Sequence, residues 1–440
     1  MAQSFVHDAL THIYTTLAQV DHRVQRQRIW TPDALLETLL MLVGGRSSKS
    51  SAGVLKAFVE RGVELDEDVD DIPSRSGFCQ ARGKLPAESL LAIFQSLSSF
   101  ARPRLGGHHQ TFGLMAVALD GTHVLMPRDP STVEAFGCPK GGTKGGYHHY
   151  PQGLLVMASE IGTRLPLAAD LLAWDGSEHA GARSILPSLG KGTVAIMDRG
   201  FVGKKLLGEI IASGAEVVVR MGVSEANSWD CVYHFLRSKA KEAIVTLALP
   251  KPGGGTCEVR VRLIRRAFRV GRPKKGQKAE TMVLLTTLID AKVAPREEII
   301  DLYTQRWSIE TAFREMKTVL NLERFHSRKA DHVRQEIAAA LIWMTLVAVV
   351  HHEVEVAMTK ARGPQRWNDP RRWQINRTLL MELMDDLAST IIRNSINPDT
   401  LDKLLARAAN YLVRTAQKRR PGRTNPRKRL APHGRFRNGG

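Results

Sequence analysis

The chain has 440 residues, of which 43% are apolar, and a formal net charge of +19. This apolar fraction excludes a wholly disordered chain, and the length favours two or three domains. Its four cysteines are far apart and form no Cys-x-x-Cys pair, so no disulfide framework or structural zinc site is readable and a reducing cytosol is favoured.

The positive charge is strongest at the C-terminal end but is not confined to it. Residues 416–440 hold nine Lys or Arg and no acid, and residues 1–415 still carry a net charge of +10. A basic surface can simply be solvated, but this distribution favours a polyanion such as nucleic acid as partner. We predict that 416–440 is a basic tail, disordered until it meets that partner.

The N-terminal residues predict helices. HDALTHIYTTLAQV and TPDALLETLLMLVGG have apolar residues at helical spacing, and Thr31 and Pro32 suit the N-cap and the first helical position. A basic stretch, SRSGFCQARGK, leads into a further helix. We predict a helical DNA-binding domain at 1–105, with a helical bundle of ordinary surface charge as the alternative.

Residues 106–221 have a different pattern, with apolar strands and two helices in the order strand, strand, strand, helix, strand, helix, strand. This order predicts an α/β fold. GLMAVALDG reads as a buried strand that ends at Asp120, and GTVAIMDRGF as another that ends at Asp198. A glycine-rich loop between them carries Lys140 and Lys144, which could follow a DNA backbone or belong to a mobile surface loop.

The remainder of the chain divides into three further segments before the tail. Residues 222–294 predict a β-rich insertion, 295–360 two core helices, and 361–415 a helical C-terminal region. The longest uncharged apolar run has 14 residues, which is too short for a membrane span and suits a buried helix. The N-terminus lacks a signal-peptide pattern, so we expect a cytoplasmic protein without a membrane partner.

Four polar residues share one face of a predicted helix in PREEIIDLYTQRWSIETAFREMKTVL. Tyr303, Arg306, Glu310 and Lys317 fall within an arc of about 60°, beside an apolar stripe. A lone carboxylate among cations at the edge of a buried face favours a site for phosphate and metal over packing alone.

Three acids are expected to meet at one edge of the sheet. Asp120 and Asp198 follow buried strands, and Glu310 can reach the same edge from its helix. Alone, each has a structural explanation: a turn, a helix cap, a surface salt bridge. Together they would repel one another unless a cation neutralised them, and hard divalent cations prefer such oxygen ligands.

These residues resemble the DDE transposases of the insertion-sequence-four family. That family carries Tyr-x2-Arg-x3-Glu-x6-Lys around its catalytic glutamate, and the spacing from Tyr303 to Lys317 matches it throughout. ALDGTH around Asp120 and MDRGF around Asp198 are similar to the family's two aspartate motifs. The β-rich stretch that follows Asp198 is similar to the insertion found in these enzymes.

The resemblance implies an RNase H-like catalytic core and cut-and-paste transposition. Asp120, Asp198 and Glu310 would be the catalytic residues and the ligands of two Mg²⁺ or Mn²⁺ ions. Arg306 and Lys317 would bind DNA phosphate near the cut.

By the same resemblance, Tyr303 would contact the strand end that Arg306 and Lys317 hold. Some members of the family hold a flipped base against a tryptophan in the insertion. Trp229 is the tryptophan within the predicted insertion 222–294 and is the candidate for that role, although it could equally be a packing residue.

The implied partners are double-stranded DNA, as terminal inverted repeats and target, and a second copy of the chain in a synaptic homodimer. The implied location is the bacterial cytoplasm, in association with the nucleoid. Two alternatives stay open: a DNA-binding protein derived from a transposase that has lost its chemistry, and a nuclease of similar fold without strand joining.

Overall fold

A computed structural model describes residues 4–22, 30–44, 74–106, 110–139, 150–224, 228–268, 280–364, 372–393 and 397–418. Lys140, Lys144 and the basic tail beyond Lys418 lie outside the described residues.

The described secondary structure is mixed. The helices are α1 Phe5–Leu17, α2 Pro32–Gly44, α3 Arg75–Arg82, α4 Ala87–Gly106, α5 Pro130–Phe136, α6 Glu178–Ser184, α7 Lys204–Ala212, α8 Asp230–Arg237, α9 Arg296–Thr304, α10 Trp307–Thr318, α11 Ala330–Arg362, α12 Arg377–Arg393 and α13 Pro398–Arg414. The strands are β1 Gln110–Thr111, β2 Leu114–Leu125, β3 Gln152–Glu160, β4 Pro166–Ala173, β5 Thr193–Met197, β6 Glu216–Met221, β7 Glu242–Pro250, β8 Thr256–Phe268, β9 Glu280–Thr286, β10 Trp373–Gln374 and β11 Gln417–Lys418.

One sheet organises the centre of the protein. Its strand order is β4-β3-β2-β5-β6-β9-β8-β7, with β1 paired to β2. The strands β4, β3 and β2 form an antiparallel meander, and β5 and β6 continue it in parallel with β2. Three antiparallel strands followed by two parallel ones, joined through helices, are the arrangement of an RNase H-like core. The predicted α/β fold class is confirmed.

The β-rich stretch after β6 extends this sheet. Strand β9 pairs with β6 in antiparallel orientation, and β8 and β7 follow outward. The β-rich character of this stretch was expected from sequence, but helix α8 and the pairing of β9 with the core were not. The pairing joins residues 62 to 68 positions apart in the chain, which local periodicity does not reveal.

Helix α11 is the central helix of the fold. It is long and apolar enough to cross a membrane by length and composition, but 89% of its most apolar window is buried inside the protein. It packs against α1, α2 and α4, and Trp343 is fully buried near Gly44. The arrangement is that of a core helix, as its sequence predicted.

A buried ion pair ties the N-terminal helices to α11. Arg82 at the end of α3 donates to Glu336, and both side chains are almost fully buried. Gln335 and His326 complete the hydrogen bonding of this pair. Burial of two charges is tolerable here because each has several hydrogen-bond partners.

Candidate active site

Asp120 lies inside strand β2, not at its end. The strand continues to Leu125 and pairs with β3 over its whole length, so Asp120–Gly121 is not the turn that Asp-Gly suggested. The parallel pairing with β5 stops at Ala118, opposite Ile196. Asp120 therefore lies just beyond the end of the paired segment, where the sheet edge opens.

Asp198 immediately follows β5 and faces the same opening. Continuing the register of Ala118 and Ile196 by two residues places Asp198 beside Asp120 on the neighbouring strand. Asp198 accepts a hydrogen bond of 2.6 Å from the amide of Gly200 and caps a short 3₁₀ helix. Its carboxylate is thereby held at the mouth of the sheet.

The helix expected to carry all four signature residues is two helices. Helix α9 ends at Thr304 and α10 begins at Trp307. Between them the backbone tightens, with the Arg306 amide bonded to the Tyr303 carbonyl three residues back. Neither glycine nor proline marks this break, so the sequence pattern continued through it.

Arg306 joins two of the predicted acids. Its two terminal nitrogens donate to Asp120 Oδ2 at 3.0 Å and to Glu310 Oε1 at 2.6 Å. Its side chain is only 9% exposed. Burial acts to lower the pKa of Arg306, but Asp120, the Tyr303 phenol and Glu310 outweigh it, so that pKa is raised.

All three acids contribute to the electrostatics at Asp120. Burial is the main reason that the pKa of Asp120 is raised, and the charges of Asp198 and Glu310 raise it further. Arg306 and the Gly121 amide oppose this shift. Burial and two neighbouring carboxylates thus outweigh the paired guanidinium at Asp120, a combination found at functional sites.

The remaining signature residues lie around this centre. Tyr303 is 8% exposed, and burial raises the pKa of its phenol, which faces Arg306. Lys317, near the end of α10, reaches a later part of β2, where its ammonium donates to the His123 carbonyl. It also pairs with Glu323 at 3.3 Å. The signature therefore follows β2 from Asp120 outward, with Lys317 at its outer part.

Trp229 was expected either to hold a flipped base or to be a packing residue, and its surroundings suit both roles. It precedes α8, is partly buried against the core, and has the ammonium of Lys204 5.8 Å from its ring centroid. Its role in binding DNA stays a prediction.

Two residues near the site were not identified from the sequence. Trp307 directly follows Arg306 and is 63% exposed, which is unusual for a tryptophan. Glu178 is the first residue of α6, and the pKa of its carboxyl is raised by burial and by the charges of Asp120 and Asp198. Trp307 could have been identified from its position inside the signature, next to Arg306. Glu178 could not, because the site residues near it are distant in the sequence.

The donors present fit divalent metal ions in their chemistry. A Cβ placed on Gly200 would lie 2.8 Å from Glu178 Oε2 and 3.0 Å from Asp198 Oδ1, so this glycine leaves room in which carboxylate oxygens gather. Among the described residues, no three His, Cys, Asp or Glu side chains are arranged to hold a metal ion directly. The guanidinium of Arg306 bridges Asp120 and Glu310 instead.

Sequence comparisons identify proteins related to this chain. The Transposase DDE domain family matches residues 111–346, from β1 into α11. The transposase InsG of insertion sequence element IS4 from Escherichia coli (strain K12) is 28% identical over 288 residues, which are 62% of this chain and 60% of that protein. The chain thus spans about 60% of the length of this relative.

A solved structure is also similar. The cryo-EM structure of the piggyBac transposase synaptic complex with hairpin DNA aligns with 92% of this chain and 82% of its own, at 11% identity and a TM-score of 0.41. The family match covers more than half of the residues, including both aspartates and Glu310. The chain belongs to the DDE transposase family and resembles its insertion-sequence-four members.

Proposed function

We propose that the protein is a transposase that binds the ends of an insertion sequence, cleaves them by metal-dependent phosphodiester hydrolysis, and joins the 3′ ends to target DNA. One observation carries the proposal. Asp120 and Glu310, from a strand and a distant helix, share the guanidinium of Arg306, and Asp198 lies on the strand beside Asp120.

The chemistry needs no covalent enzyme intermediate. In cleavage, a water oxygen bonds to phosphorus and a 3′-hydroxyl leaves; in joining, that hydroxyl bonds to a target phosphorus and a target 3′-oxygen leaves. DDE transposases depend on divalent metal ions, and we assign Mg²⁺ or Mn²⁺, two ions, to Asp120, Asp198 and Glu310. Such ions activate the attacking oxygen and stabilise the leaving one.

Other residues of the chain would position the DNA. A guanidinium or ammonium can hold phosphate oxygens, a phenol can hydrogen-bond or stack, and indole rings can stack on bases. Trp307 offers an exposed ring next to Arg306. The proposed DNA contacts are Tyr303, Arg306, Lys317, Trp229, Lys140 and Lys144.

The partners follow from the reaction. Terminal inverted repeats and target DNA are the substrates, and two ends must be held together, which favours a homodimer on DNA. The net charge of +19 supports a polyanionic partner. We place the protein in the bacterial cytoplasm, in association with the nucleoid.

The experiment that tests the proposal is a cleavage and joining assay. Purified full-length protein is incubated with DNA that contains the repeats flanking its gene, a target plasmid, and Mg²⁺, Mn²⁺ or EDTA. We expect cut ends and joined products with either metal and none in EDTA. The variants D120N, D198N and E310Q should bind the end DNA but give no cleavage.

The same assay separates the alternatives. A nuclease without strand transfer would give cut ends but no joined product. A DNA-binding protein without chemistry would shift the end DNA in a gel and leave it intact with every metal. Cleavage that persists in any of the three variants would overturn the proposed site.

A further inference from the structure

A fourth carboxylate faces the site from helix α6. A Cβ placed on Gly121 would lie 2.8 Å from Glu178 Oε1, and one placed on Gly200 would lie 2.8 Å from Glu178 Oε2. These glycines adjoin the two aspartates: Gly121 follows Asp120, and Gly200 is two residues after Asp198. The carboxylate of Glu178 therefore occupies the space that two missing side chains leave between the aspartate-bearing segments.

The oxygen atoms are close enough to share a ligand. The hypothetical Cβ of Gly200 is 2.8 Å from Glu178 Oε2 and 3.0 Å from Asp198 Oδ1, so these two oxygens are at most about 6 Å apart. Oxygens around one hard divalent cation at 2.0–2.6 Å are separated by roughly 3–5 Å. A small side-chain movement would bring both oxygens to one ion.

The neighbouring residue fixes Glu178 in this position. His179 makes a hydrogen bond of 2.7 Å from Nε2 to the carbonyl oxygen of Gly200, and its ring stacks on Phe201 with 6.5 Å between centroids. A Cβ on Gly203 would lie 2.7 Å from His179 Cε1, so this glycine admits the ring. The start of α6 is thereby fastened to the loop that carries Asp198.

The local charge is unbalanced without a further cation. Within the described residues, Glu178 and Asp198 form no ion pair, and Arg306 is the cation that pairs with Asp120 and Glu310. Of the four carboxylates, two are thus paired with one guanidinium and two have no ion-pair partner among the described residues. Carboxylates held this close are costly unless positive charge neutralises them.

We propose that Glu178 is a fourth acidic ligand of the active site, which holds a divalent cation together with Asp120 and Asp198, and that His179 positions it. The inference rests on the proposed function, because it adds a ligand to the same metal site. It assigns a role to the segment Ser177–His179, which lies outside the three motifs that identify the family.

The test is Mn²⁺ binding by the DNA-free protein, measured as free Mn²⁺ by electron paramagnetic resonance. Glu178→Gln keeps the size of the side chain and removes its charge. We expect its Mn²⁺ affinity to fall by at least about tenfold, the scale on which lost ligand support weakens metal sites. Asp175→Asn is the matched control, since Asp175 is an exposed acid three residues earlier, and it should stay within twofold of wild type.

A second variant moves the carboxylate without removing it. Gly121→Ala places a methyl group against the end of the Glu178 side chain, so the carboxylate must shift and Mn²⁺ affinity should also fall. In the E178Q background, G121A should cause no further loss, because its effect acts through the charge of Glu178. This variant decides the question if circular dichroism shows that E178Q does not fold.

The outcomes separate this inference from the proposed function. If D120N loses Mn²⁺ affinity while E178Q and G121A behave like D175N, the role of Glu178 is overturned and the three-acid site stands. If D120N also retains wild-type affinity, the metal site itself is wrong.

Discussion

Replacing Arg306 by alanine tests how the carboxylates are neutralised when no DNA is bound. The guanidinium is the shared partner of Asp120 and Glu310, and its side chain is 9% exposed. Removing it leaves Asp120, with a side chain 15% exposed, beside other acids without its cation. The carboxylates should then bind a divalent cation more readily, because the cation no longer competes with the guanidinium.

The magnitude follows from burial. Removing one partner of a buried ion pair costs about 3–5 kcal/mol. The Glu310 side chain is 31% exposed, so its pair adds about 1 kcal/mol or less. An unfolding entropy of about 2.1 cal/mol/K per residue gives about 0.9 kcal/mol/K for 440 residues, so Arg306→Ala should lower Tm by about 4–6 °C in EDTA.

The assay is differential scanning calorimetry with and without Mn²⁺. A cation at 100 times its Kd stabilises by about 2.7 kcal/mol, so saturating Mn²⁺ should return about 3 °C to the variant. Wild type should gain less, since the cation must displace Arg306. Arg377→Ala is the matched control, because Arg377 is 10% exposed and pairs with Glu315, which is not one of the two acids that Arg306 pairs with. An equal Mn²⁺ response in R306A and R377A would refute the reasoning.

Three further predictions concern stability and DNA affinity. Burial, followed by the Arg82 charge, lowers the pKa of His332 from 6.5 to about 4. The unfolded state therefore binds a proton more readily, so the free energy of unfolding should fall by about 3 kcal/mol as the pH drops from above 6.5 to 4. In urea titrations, His332→Asn should reduce this loss of stability at acid pH. Arg82→Ala should cost about 3–5 kcal/mol by calorimetry, since its side chain and that of Glu336 are 1% and 4% exposed, and an unchanged Tm would contradict the anchoring of α3. Truncation after Lys418 removes eight Lys or Arg. In a plot of the logarithm of the DNA-binding constant against the logarithm of salt concentration, the magnitude of the slope should fall by about 0.9 for each DNA phosphate that the tail neutralises. An unchanged slope would show that the tail does not bind DNA.

Local sequence patterns were enough to predict most of the elements. Alternating and continuous apolar runs located β2, β5 and β6, and Thr31 and Pro32 marked the start of α2, where the Thr31 hydroxyl accepts from the Ala34 amide at 3.1 Å. Asp198 was expected at the end of a strand and is found there. In each case the signal and the structure involve neighbouring residues.

The errors have a common physical cause. Asp120–Gly121 suggested a turn, but pairing of β2 with β3 carries the strand to Leu125. The break before Trp307 has no helix-breaking residue, and the Arg306 side chain there is bonded to Asp120, 186 positions away. Glu178 likewise meets Gly121 and Gly200 only in the folded protein. Contacts between distant segments decided these features, and periodicity does not report them.

The most direct test of the central claim is an anomalous difference map from crystals grown with Mn²⁺. The account predicts a peak within about 2.0–2.6 Å of carboxylate oxygens of Asp120, Asp198 and Glu310, with Arg306 withdrawn from between Asp120 and Glu310. Strong peaks confined to other parts of the protein, with the Arg306 ion pairs intact at saturating Mn²⁺, would contradict it.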